Sequence, residues 1–172
     1  ERVLLVGLGR ERDFNEKSFR SALAAAVKAL KGTGATDASV ALLDLPLKKR
    51  DVAWKAEQAA IAFADGAYRF DRLKSKSHDP SRGLKKVLFH VARKADVAEA
   101  QAAADRGAAI AEGMRFAKDL GNLPGNHCTP TYLAEQAQGL AKAHGLKCEV
   151  FTAKAIEKLG MGSFLAVAQG SK

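Results

Sequence analysis

The sequence predicts an α/β protein: a mixed or parallel sheet flanked by helices, then a long helix, then the beginning of a second α/β unit. Three observations predict it. Short apolar runs rich in Val and Leu alternate with stretches of helical spacing up to about residue 95. An unbroken helical pattern follows from Asp96 to Leu120. The stretch "GNLPGNHCTP" at 121–130 then breaks it, and strand and helix patterns start again.

Each element has its own signal. Residues 2–8, "RVLLVGL", read as a buried strand ending in Gly7-Leu8-Gly9. Residues 16–31 place Phe19, Leu23, Ala26, Val27 and Leu30 at helical spacing, with Asn15 or Asp13 as the cap. "GTGATD" ends that helix, and "SVALLDL" at 39–45 is a second strand stopped by Pro46. Residues 50–69 are a helix with Val52, Ala56, Ala59, Ala60, Phe63 and Ala67 on one face. "DRLKSKSHDPSRG" at 71–83 is a polar, basic loop, expected to be mobile. "KKVLFHVA" at 85–92 is a third strand.

The long helix has Asp96 as its expected cap and Gly121 as its expected left-handed terminus. At about 1.5 Å per residue it is long enough to bridge two domains. Thr129 and Pro130 open the next helix, which Gly145 ends near His144. "KCEVFT" at 147–152 reads as a strand, "AKAIEKLG" as a short helix, and "SFLAVAQGS" at 163–171 as a last strand.

Composition narrows the function classes. Nothing approaches the roughly 18–20 apolar residues that span a bilayer. The opening "ERVLLVGLG" is too short for a secretory signal and lacks a small-residue cleavage site, and there is no initiator Met, so the natural start is expected upstream. Cys128 and Cys148 are too few for a disulfide scaffold and form no zinc spacing. A cytoplasmic location is expected. Of the net charge of +9, thirteen basic and five acidic residues between Leu47 and Lys94 supply +8. Such a focus attracts phosphate backbones or merely keeps a surface solvated.

No catalytic constellation emerges from the residues themselves. The Gly7–Gly9 pair needs a third Gly at position 12 to bind a dinucleotide, and Arg12 stands there. His127 and Cys128 are sequence neighbours whose side chains diverge in an extended segment, so they make a poor nucleophile–base pair. His78, His90 and His144 have no second ligand at metal spacing. Phosphate-loop and nucleophile-elbow motifs are absent.

The run "GMRFAKDLGNLPGNHCTPTYLAEQA" closely resembles the segment joining the two domains of the leucyl aminopeptidase, or cytosol aminopeptidase, family. The matching residues are Lys118-Asp119-Leu120, Asn122, Pro124, Asn126, Thr129 and Pro130. "LGMGSFLAVAQGS" resembles the stretch shortly before that family's first metal-binding motif, and "RVLLVGLG" with its helix looks like the amino-terminal domain. The resemblance is weakest from Arg72 to Gly83.

It implies a macro-domain-like, partial amino-terminal domain over residues 1–95, an interdomain linker helix over 96–120, and a truncated catalytic α/β domain from 121 to 172. "GNLPGNHCTP" is then a hinge and not an active site. The resemblance further implies removal of amino-terminal residues from peptides by two divalent metal ions, Mn or Zn, and assembly as a homohexamer. The family's catalytic and metal residues belong to motifs expected beyond Lys172. No catalytic or metal residue is therefore assigned here, no metal is expected on this portion, and the portion alone is expected to be inactive.

Some bacterial members bind DNA, which makes the basic stretch an alternative. Its candidate contacts are Lys74, Lys76, Arg82, Lys85 and Lys86. A third reading, binding of a nucleotide or ADP-ribose, rests on fold analogy alone.

Overall fold

The computed structural model describes residues 2–75 and 83–170. Two compact units divide the chain between Asn122 and Leu123. The mobile loop expected at 71–83 falls largely outside the described residues.

The first unit is built on three helices: α1 (Glu16–Lys31), α2 (Val52–Gly66) and α3 (Val97–Asn122). Of the two caps expected, Asn15 and not Asp13 caps α1, accepting from the backbone N–H of Lys17 at 2.9 Å and of Ser18 at 3.1 Å. Asp51 caps α2 through the N–H of Trp54 at 2.8 Å. Two short parallel strands, β1 (Asp37–Val40) and β2 (Lys86–Phe89), pair in register from Asp37 opposite Lys86 to Val40 opposite Phe89. The parallel pairing follows from the α2 crossover between them.

The core gathers Phe19, Leu23 and Val27 of α1, Val40 of β1, Leu43 and Leu47 of the following turn, Ala56, Ala59 and Phe63 of α2, and Ala100 and Ala103 of α3. The heavy use of Ala now has a reason: α2 and α3 pack backbone against backbone. A Cβ on Gly107 would lie 2.6 Å from the Glu57 carbonyl oxygen and 2.8 Å from the Ala60 Cβ. Only small residues permit that approach.

The second unit contains α4 (Pro130–His144), α5 (Ala153–Lys158) and α6 (Gly162–Ala168). Thr129 caps α4 by accepting from the Tyr132 N–H at 3.2 Å, and Gly145 closes it in the left-handed region at φ 66°. Both signals were readable in the sequence.

Several expected elements differ. Residues 2–8 form no strand: Val3 and Leu5 are more than four-fifths exposed. A strand exists only where a neighbour supplies a ladder, and among the described residues only β1 and β2 do so. The second predicted strand is cut to β1 because the chain turns at Leu42–Asp44 in a 3-10 helix that buries Leu43. Residues 147–152 are irregular, and 163–168 belong to helix α6 instead of a strand. Short apolar runs do not separate the two states by periodicity. Asp96 does not cap α3; it ends a 3-10 turn, and its carboxylate is held by Arg93 at 2.7 and 2.8 Å. Gly121 lies inside α3 and not beyond its end.

Candidate functional site

The basic stretch is locally paired at several points. Arg50 donates to Glu16 at 2.7 Å and lies 5.0 Å above the Trp54 ring. That pairing holds the Glu16 carboxyl below the ordinary glutamate range. Lys74 and Arg69 converge on Asp71 at 2.7 and 3.2 Å and lower its pKa, the Lys74 hydrogen bond more than the Arg69 one. Lys55 is buried on α2, and its ammonium donates to the Leu45 carbonyl at 2.9 Å. Burial pushes its pKa down, with Asp44 opposing.

Of the five candidate nucleic-acid contacts, Lys76 and Arg82 fall outside the described residues. Lys85 precedes β2 and Lys86 opens it; the backbone N–H of each donates to the Thr36 carbonyl, at 2.7 and 3.2 Å. Their side chains are exposed, as is Lys74.

His127 and Cys128 sit in a turn whose two N–H groups both donate to the Pro124 carbonyl at 2.9 Å. His127 is exposed and Cys128 half-buried. The turn shapes the backbone and assembles no nucleophile. His90, beyond the end of β2, does meet a carboxylate: its Nδ1 lies 2.6 Å from Asp44 Oδ2, while Asp44 Oδ1 accepts the Ala92 N–H at 2.8 Å. Both Asp44 oxygens are thus occupied in tying the exits of the two strands together.

Among the described residues, no group of three or more His, Cys, Asp or Glu side chains could hold a metal ion. This donor set does not fit a metal pair. No helix among them is long and apolar enough to cross a membrane.

One polar cluster was not anticipated from the sequence. The Tyr68 hydroxyl, just past α2, donates to Asp119 Oδ1 at 3.0 Å and accepts from Asn122 Nδ2 at 2.9 Å. Lys118 pairs with Asp65 and stands 5.2 Å over the Tyr68 ring. Desolvation, foremost, raises the phenol above its ordinary pKa. The signal available was Asp119 and Asn122 three apart on the last turn of one helix; their partner in another segment was not readable.

Comparison with known proteins bears on both units. The cytosol aminopeptidase family's amino-terminal domain matches residues 1–77, and the same family's catalytic domain matches 115–172. A "Probable cytosol aminopeptidase" of Methylobacillus flagellatus is 52% identical over 170 residues, covering 99% of this chain and 34% of the relative. Another from Dechloromonas aromatica is 52% identical over 171 residues, with the same coverage of each. Among solved structures, the bottromycin maturation enzyme BotP is 30% identical with a TM-score of 0.79, over 96% of this chain and 34% of that one. BotP in complex with Mn aligns with a TM-score of 0.72 at 28% identity, over 90% of this chain and 30% of that one. The chain spans about a third of the length of these curated relatives. With the two domain models falling in order along one chain, and half its residues shared with named members, the protein belongs to the cytosol aminopeptidase family.

Proposed function

We propose that this chain is the non-catalytic portion of a leucyl aminopeptidase, a cytoplasmic metallo-exopeptidase that removes amino-terminal residues from peptides. The observation that carries the reading is the succession of both family domains at 52% identity to a named aminopeptidase. In the whole enzyme two divalent ions, Mn or Zn, would supply metal-assisted hydrolysis, and no residue of this chain is assigned to hold them. The described residues hold no donor cluster for those ions. Their part is to build the amino-terminal unit and to present the opening of the catalytic domain, within a homohexamer.

The test is hydrolysis of leucine amide with added Mn²⁺, on protein of verified intact mass. The 172-residue chain is expected to give no turnover, and a chain extended to the length of its relatives is expected to give metal-dependent turnover. Turnover by the shorter chain, abolished by a chelator, would overturn the assignment.

The +8 concentration between Leu47 and Lys94 supports a second, DNA-binding reading through Lys74, Lys76, Arg82, Lys85 and Lys86. It expects duplex binding that weakens steeply with salt and is weaker when these five are neutralised. Affinity unchanged by the five substitutions rejects that surface.

A further inference from the structure

The last turn of α3 is a weak piece of helix in a demanding place. It contains Gly121, around which there is open space, and it stops at the boundary between the two units. Beyond it come Leu123 and the Pro124 turn. Intrinsic propensity does not favour helix at Gly121 and Asn122, yet the helix persists through both.

Side chains from α2 and the residues after it supply what the backbone lacks. Lys118 is anchored on Asp65, Asp119 accepts a hydrogen bond from the Tyr68 hydroxyl, and Asn122 donates to the same oxygen. Tyr68 thereby grips the turn at two points three residues apart, which lie on one face of the helix. The phenol donates in its neutral form, which an ordinary tyrosine already holds at neutral pH; desolvation pushes its pKa further up.

We propose that Tyr68 is a positioning residue for the joint between the units: its hydroxyl latches the last turn of α3 through Asp119 and Asn122, so that the joint starts at Leu123 and not one turn earlier. When the latch is open, residues 118–122 join the connecting segment and lengthen it. The latch acts entirely within the first unit, and it stands whether or not the peptidase reading does.

Amide hydrogen exchange on the intact 172-residue chain tests it, with Trp54 emission as the check that the first unit is folded. Tyr68→Phe keeps the ring beneath Lys118 and removes both hydrogen bonds. Exchange at residues 118–122 is expected to accelerate roughly ten-fold, with residues 97–111 unchanged. Asn122→Ala, at an exposed position, is expected to give part of that acceleration without disturbing the packed ring. Asp119→Asn keeps an acceptor oxygen and is expected to stay within about three-fold of the parent, whereas Asp119→Leu, which leaves the Asn122 bond in place, is expected to exceed that and to give part of the Tyr68→Phe acceleration. Unchanged exchange at 118–122 in Tyr68→Phe would overturn the latch. So would acceleration spread evenly along α2 and α3, or equal effects of the Asn and Leu substitutions at 119.

Discussion

The unit ending at Asn122 and the unit starting at Leu123 treat apolar side chains differently. In the first, Phe19 and Leu23 are fully buried and Leu43 is 1% exposed, and helices α2 and α3 meet across a seam of Ala and Gly. In the second, Ala141 alone is buried among the described residues, while Leu146, Leu159 and Phe164 are each about 60% exposed. Both units nevertheless end their helices well: Asn15 and Asp51 cap in one, Thr129 and Thr152 in the other. Capping is a local transaction between a side chain and the next turn. A core needs distant residues to arrive together, and large exposed apolar side chains are where a further surface would pack.

The largest expected effect contrasts two phenylalanines. Phe19→Ala removes a buried ring 5.7 Å from Trp54 and should cost the first unit about 3–5 kcal/mol in urea unfolding followed by Trp54 emission. Phe164→Ala, on α6, should move the same transition by less than about 0.5 kcal/mol. Comparable losses from both would erase the distinction between the units.

Two glycines of α3 sharpen the comparison inside one helix. Gly107→Ala forces a methyl group against the Glu57 carbonyl and should destabilise by about 1–3 kcal/mol. Gly121→Ala meets open space and should stabilise by up to about 1 kcal/mol, because Ala is the better helix former. Thermal unfolding of the two variants side by side reads the sign directly.

A smaller effect lies in the second unit. Thr129→Ala removes the acceptor for the Tyr132 N–H, and the first turn of α4 should lose about 1 kcal/mol of local stability. NMR chemical shifts of residues 130–133 should move toward coil values while α1 shifts stay fixed. Movement of both sets would mean that the cap supports more than its own helix.

The smallest expected effect is a pH dependence. Arg50 depresses the Glu16 carboxyl in the folded protein. The stabilisation is therefore fully present above the unfolded-state pKa and is lost as pH falls through the folded one. Glu16→Gln should lower stability slightly at neutral pH and leave it nearly unchanged in acid, which flattens the acid limb. An acid limb identical to the parent's would deny the pair any role.

What could be read from the sequence follows the same division between local and non-local. The bounds of α1, its Asn15 cap, the Thr129-Pro130 start and the Gly145 stop all depend on neighbours within a turn, and all were legible. Residues 2–8 and 147–152 read as strands on apolar content, but a strand is made by its ladder partner, which the sequence does not name. "SFLAVAQGS" differs for a related reason: the five-residue apolar run 164–168 suits either state. The Tyr68 cluster joins positions more than fifty residues apart. Asp119 and Asn122 were visible as family motif residues, yet nothing local marked Tyr68 as their partner.

The central claim is that one unit holds itself together and its neighbour lacks a core of its own among the described residues. Native-state hydrogen exchange over the whole chain tests it most directly. The slowest amides should lie in α1, α2 and the first half of α3, while amides of α5 and α6 exchange close to unfolded-chain rates. Protection in α5 and α6 equal to that in α2 would contradict it.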